Sequence, residues 1–258
     1  MRPRIKLGRF LIRLGRFINS LAVVVMRPDD LVEFGRQTYA HPESVEHLCR
    51  EETVDLGLTS EETALLEKTP LKRGRLLLLG VGGGREAIPL ARLGFDVTGV
   101  DFVGDLVRRS IENAKERGAT ISGLVQEIST LDVPDKSYDI VWLSAAMYSC
   151  IPTRRRRVDM LRRIRKALEP GGYFICQFRW DTRGGPSHRG ALARKAAAFL
   201  TVGNLQYEPG DMLWGNAEFV HAFSSEDALR WEFTEGGFEV VLIQISNEMM
   251  MGGAVLKR

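Results

Sequence analysis

The sequence predicts an α/β fold with a mostly parallel sheet covered by helices, and two stretches carry that prediction. Four consecutive leucines at 76–79 run directly into Gly80-Val-Gly82-Gly-Gly84 and then a helical segment. About twenty residues on, a second apolar run, Val97-Thr-Gly-Val-Asp101, ends in a carboxylate, the spacing of a strand, turn, helix and strand unit. An apolar run without alternation fits a strand buried on both faces, as in a parallel sheet.

The glycines let the chain turn sharply and bring bare backbone amides against a ligand, because no Cβ stands in the way. Asp101 stands where an acid would accept hydrogen bonds from a ribose, which implies a nucleoside cofactor at the carboxyl ends of parallel strands. A dinucleotide site would space the glycines GxGxxG, whereas this chain has GxGxG followed by Arg85, Glu86 and Ala87. No Lys-Ser/Thr pair follows that would make the turn a phosphate-binding P-loop.

With these residues the segment resembles the first motif of the class I S-adenosylmethionine-dependent methyltransferases. Two further stretches extend the resemblance over residues 72–180. One is Leu124-Val-Gln-Glu127-Ile128 with the Pro134, Asp135, Ser137, Tyr138 turn behind it. The other is Asp139-Ile-Val-Trp-Leu-Ser144, then a helix leading to Leu168-Glu-Pro-Gly-Gly172 and a fifth strand, with a weaker tail at 223–256. The resemblance implies a three-layer, Rossmann-like, seven-stranded and mostly parallel sheet with an antiparallel last strand, helices on both faces and an N-terminal helical extension. It implies S-adenosylmethionine as cofactor and S-adenosylhomocysteine as product. The cofactor-binding positions carried over are Gly80, Gly82, Gly84, Asp101, Phe102, Glu127, Ile128 and Ser144, with Glu127 and Ile128 on the adenine side.

One position departs from the family pattern. Where the family usually carries an acid two residues before the first motif glycine, to hold the methionine amino group, this chain has Leu78. That amino group must find another acceptor, such as the Gly80 carbonyl or a group from the loop after the fourth strand.

Length and composition fit one elaborated catalytic domain. The chain has 258 residues, 27% of them charged and 44% hydrophobic, enough to bury a sizeable core. Its three cysteines, Cys49, Cys150 and Cys176, show no paired spacing, so a reducing compartment and a cytoplasmic location are expected. His41 and His47 have no partners at metal-ligand spacing, and no metal is expected.

Charge is unevenly placed. Residues 1–27 carry Arg2, Arg4, Lys6, Arg9, Arg13, Arg16 and Arg27 and no acid, so a whole chain of +3 leaves the remainder net acidic. Leu7, Phe10, Leu11, Leu14, Phe17, Ile18, Leu21 and Val25 recur there at three- and four-residue steps, the pattern of a basic amphipathic helix. Arg13 and Arg16 interrupt any secretory h-region, and the apolar piece at 21–26 is too short to span a bilayer. An anionic membrane surface at the inner face, packing within the protein and a homodimer interface remain open for this arm. Nucleic acid fits poorly, because the apolar face is continuous.

The arm is followed by a helical lid region at 28–71 and a catalytic domain at 72–258. Short helices are expected at 28–39, 45–52 and 59–67, the last with Ser60 as its cap. Tyr39 is the lid's candidate to reach the cofactor. Arg154-Arg-Arg-Arg157 precedes an apolar stripe of Val158, Leu161, Ile164 and Leu168, which places the arginines mostly on a solvated face. Residues 179–222, opening Trp180-Asp-Thr-Arg-Gly-Gly-Pro and containing a helix near 191–200, are the expected substrate-side insertion. Tyr148 and His221 are the candidates to contact or deprotonate the acceptor. A final hairpin is expected from 240–245 and 254–256, with Gly252 and Gly253 near its turn.

Methyl transfer from a sulfonium is an in-line displacement in which positioning supplies much of the rate, so no fixed catalytic residue is demanded. The acceptor is correspondingly hard to read. The fourth strand lacks the Asn/Asp-Pro-Pro-Tyr pattern of adenine and glutamine methylation, and no acids are set for a catechol-type metal site. The expectation is O- or N-methylation of a small-molecule or lipid- or glycan-linked acceptor. A non-catalytic scaffold on the same fold and an RNA methyltransferase are the alternatives.

Overall fold

The four leucines form most of β1 (Gly74–Leu79), and all four are fully buried. In the computed structural model, which describes residues 3–182, 188–215 and 217–258, β1 pairs in parallel with β2 (Phe95–Asp101) and β4 (Tyr138–Leu143). The sheet continues through β3 (Ile121–Val125) and β5 (Leu168–Arg179) and closes with the hairpin of β8 (Glu239–Ser246) and β9 (Met251–Lys257). Its order is β3-β2-β1-β4-β5-β9-β8, and β9 alone runs against the other six. A separate ribbon pairs β6 (Asp211–Trp214) with β7 (Glu218–His221).

Helices cover both faces, which explains the unbroken apolar run. Leu76 and Leu78 join a core with α5 (Ser60–Glu67), α6 (Ala87–Arg92) and α7 (Gly104–Glu116). Leu77 and Leu79 join the opposite core with α8 (Arg154–Ala167) and α10 (Glu226–Glu235). The chain leaves β1 for one face and β4 for the other, so β1 and β4 flank a topological switch point, where ligand crevices form in open α/β sheets.

Outside the layers lie α1 (Pro3–Val25), α2 (Pro28–Ala40), α3 (Pro42–Cys49), α4 (Glu51–Val54) and α9 (His188–Thr201). The C-terminal end of α1 is anchored by fully buried Val23 and Val24. Further along it, Leu7, Phe10, Leu11, Leu14, Phe17 and Ile18 are exposed. Arg2, the Arg183-Gly-Gly-Pro part of the substrate-side segment, and the side chains of Arg13 and Arg16 lie outside the described residues.

Three local expectations are corrected. The cap of α5 is Thr59: its Oγ1 accepts from the Glu62 amide and Glu62 accepts from the Thr59 amide, a reciprocal box that Ser60 is one residue too late to form. Gly252 and Gly253 sit inside β9, opposite Phe178 and Gln177, rather than at the hairpin turn. A Cβ at Gly252 would fall 2.4 Å from the Phe178 ring and one at Gly253 2.6 Å from Leu65. Both glycines are needed for close packing on the sheet.

The third concerns one position of the arginine run, which otherwise lies mostly on the solvated face as expected. Arg155 is exposed, but Arg157 is fully buried and pairs with Glu232 of α10 and with Glu208. Arg154 reaches Glu208 and Glu232, and Arg156 reaches Asp29 at the start of α2. Arg154, Arg156 and Arg157 are thus engaged by the protein's own carboxylates, which narrows the footprint an RNA-binding reading needs.

Candidate functional site

A cavity of about 250 Å³ opens at the carboxyl ends of β1, β2 and β4. Its floor is the glycine turn. The amides of Gly80 and Val81 both donate to the Val100 carbonyl, at 2.8 and 2.9 Å, pinning the turn against β2. Gly80 has φ +82°, and a Cβ there would fall 2.1 Å from Met147 Sδ, so only glycine fits. At Gly83 a Cβ would lie 2.1 Å from the Leu48 carbonyl, where α3 rests on the turn.

Asp101 ends β2 with its carboxylate held in place. Oδ2 accepts from the Gly82 amide at 3.1 Å and Oδ1 from the Val103 amide at 3.1 Å. Burial pushes its pKa up to about 6, against the lowering effect of those amides. A carboxylate so placed retains acceptor capacity for the hydroxyls of a ribose.

Phe102, Glu127, Ile128 and Ser144 line the same cavity. Glu127 caps a single 3-10 turn, accepting from the Ser129 amide and hydroxyl at 2.8 and 2.7 Å and from the Thr130 hydroxyl at 3.2 Å. Gly84 does not line the cavity. It closes the turn from behind, donating to the Val81 carbonyl at 2.9 Å with φ +100°.

The remaining wall comes from the helices before β1 and from the ribbon. Leu31, Val32 and Tyr39 of α2 face in, with Glu218 and Phe219 of β7. The Tyr39 hydroxyl donates to Glu218 Oε2 at 2.6 Å, and Cys150 Sγ lies 3.7 Å from the same oxygen. Burial, then the Glu218 charge, pushes both the Tyr39 hydroxyl and the Cys150 thiol well above their ordinary pKa values. Glu218 was not legible in the sequence, since a lone acid at the start of the short segment Glu218-Phe-Val-His221 carries no motif. Glu86 and Met147 were missed as well, although an acid in the first turn after a glycine loop was a visible signal.

Tyr148 and His221 do not meet this cavity. Tyr148 is fully buried, its hydroxyl donating to Glu232 at 2.7 Å and its ring stacked on Phe223 at 5.7 Å. His221 is buried with Nδ1 2.7 Å from Asp211 Oδ1, across the β6–β7 ribbon. Both belong to a polar cluster with Arg157, Glu208 and Glu232 between α8, α10 and the ribbon. The Tyr148 hydroxyl and His221 Nδ1 are held by structural partners away from the cavity, which corrects the acceptor-contacting role expected of these residues.

Residues 77–176 match the family model described as "Methyltransferase domain". The ubiquinone biosynthesis O-methyltransferase of Roseobacter denitrificans is 30% identical over 129 residues, 50% of each chain. That of Maricaulis maris is 26% identical over 175 residues, 66% of this chain and 61% of the relative. The chain therefore spans about half the length of the first of these curated relatives. Among solved structures, the 1,6-didemethyltoxoflavin-N1-methyltransferase of Burkholderia thailandensis, crystallised with its substrate and S-adenosylhomocysteine, superposes with a TM-score of 0.61. It is 16% identical, covering 86% of this chain and 88% of that one, a likeness of fold.

Proposed function

We propose that the chain, whose residues 77–176 match a methyltransferase domain, is a class I S-adenosylmethionine-dependent methyltransferase that transfers a methyl group from that cofactor to oxygen or nitrogen of a small-molecule acceptor. The observation that carries the reading is Asp101 held by the Gly82 and Val103 amides at the mouth of the glycine turn. The residues present fit the cofactor. The glycine turn presents bare backbone at the cavity floor, Asp101 suits a ribose diol, and Phe102 and Ile128 suit an adenine ring.

When bound, the cofactor supplies a methyl group on a sulfonium, already joined to a good leaving group. The protein's part is to bind, orient and exclude water. The glycine turn and Asp101 fix the nucleoside. Met147, Ile151, Leu31 and Phe219 keep the cavity largely apolar, which suits an aryl or alkyl acceptor. Glu218, bonded to Tyr39, offers a carboxylate that can take a proton from an acceptor hydroxyl. The names of the curated relatives favour oxygen as the atom methylated.

The arm extends this reading to the membrane surface. No helix among the described residues is long and apolar enough to cross a membrane. α9 packs against α1, with Arg194 donating to Ser20 at 3.1 Å, and Phe199 and Leu200 of α9 are exposed like the apolar side chains of α1. With Arg4 and Lys6 on the same helix, the arm has the composition of a helix lying in an anionic headgroup layer. A lipid-linked acceptor would be met there. A homodimer is the other way to cover the same face.

Calorimetric titration of S-adenosylmethionine and S-adenosylhomocysteine tests the reading, with Asp101→Ala as control. Binding lost in the variant supports an enzyme and justifies a labelled-methyl search for acceptors. A folded wild type that binds neither ligand would leave a scaffold on the same fold.

A further inference from the structure

We propose that Glu86 holds the α-ammonium of the cofactor's methionine part, replacing the strand acid that this chain lacks. The inference rests on the methyltransferase reading. Leu78, at the usual acid position, is packed in the apolar core and offers no acceptor. Glu86 lies eight residues on, at the foot of α6, and its carboxylate lines the same cavity as Gly80, Asp101 and Ser144.

Charge balance argues for a cation there. Arg85 lies between two buried carboxylates, Glu62 and Glu86. Glu62 takes two of its bonds, at 2.9 and 2.7 Å, the Gly57 carbonyl takes another at 2.7 Å, and Glu86 Oε1 receives one at 2.5 Å. One guanidinium thus serves two carboxylates, and the surplus negative charge sits on the cavity wall. Buried charge without a partner is costly, and a bound ammonium would restore neutrality. Burial pushes the Glu86 pKa up against the pull of Arg85, and the nearby Glu62 charge adds to the rise.

Geometry supplies the second argument. Ser144, the residue after β4, donates its hydroxyl to the same Oε1 that Arg85 reaches. The amide of Ser144 in turn donates to the Leu79 carbonyl at 2.9 Å, so Glu86 is tied to the seam between β1 and β4. Both side-chain bonds fall on Oε1, and a carboxylate with about four lone-pair sites keeps acceptor capacity for one more donor. The acid is moved from the strand before the turn to the helix after it, facing the same cavity.

Three ligands separate this from the underlying reading, each titrated calorimetrically into the full chain. S-adenosylhomocysteine carries the ammonium, its deaminated analogue lacks it, and 5′-methylthioadenosine lacks the amino-acid part altogether. Glu86→Gln is expected to weaken S-adenosylhomocysteine by about ten- to a hundredfold while leaving both ammonium-free ligands unchanged. Glu86→Asp keeps the charge that folding around Arg85 requires and withdraws the carboxylate by one methylene. It should lose affinity for S-adenosylhomocysteine alone, and so serves if the glutamine variant does not fold. Equal weakening of all three ligands, or of none, overturns the assignment while the nucleoside site stands. Failure of wild type to bind any of them takes down the methyltransferase reading and this inference with it.

Discussion

Arg157 of α8 meets Glu232 of α10 through two hydrogen bonds, Nε to Oε2 at 2.9 Å and Nη2 to Oε1 at 2.8 Å, with both side chains closed to solvent. The Tyr148 hydroxyl donates to the same Oε2, so one carboxylate organises three elements. Glu232→Ala removes two of the buried guanidinium's charged hydrogen bonds and leaves Glu208 as its remaining carboxylate partner, so it should lower stability by about 3 kcal/mol in denaturant unfolding. Tyr148→Phe removes one bond to a charged group and should cost about 1.5–3 kcal/mol. Turnover per folded molecule should be unchanged in the Tyr148 variant. A large fall in kcat with stability intact would return Tyr148 to the catalytic list.

Nucleoside affinity should depend on pH through Asp101. Ribose hydroxyls donate to the ionised carboxylate, so lowering pH through about 6 should weaken adenosine or 5′-methylthioadenosine binding. Adenosine-type ligands isolate this effect from Glu86, which faces the amino-acid part. For folding the sign is opposite: an acid with a folded pKa above its ordinary 3.8 destabilises the fold when ionised. That cost is absent below 3.8 and fully present above about 6. Asp101→Asn should flatten both profiles. An adenosine affinity that stays level from pH 7.5 to about 5 in wild type would contradict the role given to Asp101.

Gly82 and Gly83 should respond differently to alanine. At Gly82, φ is +50° and a Cβ would meet nothing within 4 Å, so Gly82→Ala pays only the left-handed backbone cost of about 1–2 kcal/mol. At Gly83 a Cβ would strike the Leu48 carbonyl, a backbone atom that cannot turn aside. Gly83→Ala should push α3 off the turn, lower the melting temperature and weaken nucleoside binding, because Leu48 lines the cavity. Similar melting temperatures and affinities in the two variants would show that α3 does not rest on the turn.

Vesicle sedimentation tests the arm. Val23 and Val24 belong to the folded core, so truncation should stop at residue 18. The truncated protein should lose binding to phosphatidylserine vesicles and keep its affinity for S-adenosylhomocysteine. Wild-type binding should fall with added salt, since about 1 kcal/mol per basic residue comes from the anionic surface. Undiminished vesicle binding after truncation would exclude the arm as the anchor, and a change from dimer to monomer would identify the face as a protein interface.

What the sequence by itself determined is what neighbouring residues decide among themselves. The doubly covered strand follows from Leu76-Leu-Leu-Leu79, the turn from Gly80, Gly82 and Gly84, and the ribose acceptor from an acid at the end of the next apolar run. Each is a local pattern with one physical solution, and together they specify the sheet's centre and the nucleoside side of the cavity. What the tertiary structure decided are pairings between distant residues. Glu86 finds Ser144 only because β1 and β4 are adjacent, and Tyr39 finds Glu218 only because the ribbon folds against α2. Periodicity put Arg157 on a helix, but its burial depended on Glu232 arriving from α10. A polar side chain reads alike in sequence whether water, a ligand or a buried partner receives it. Tyr148 and His221 were therefore indistinguishable from site residues until their hydrogen bonds were seen to be spent on Glu232 and Asp211.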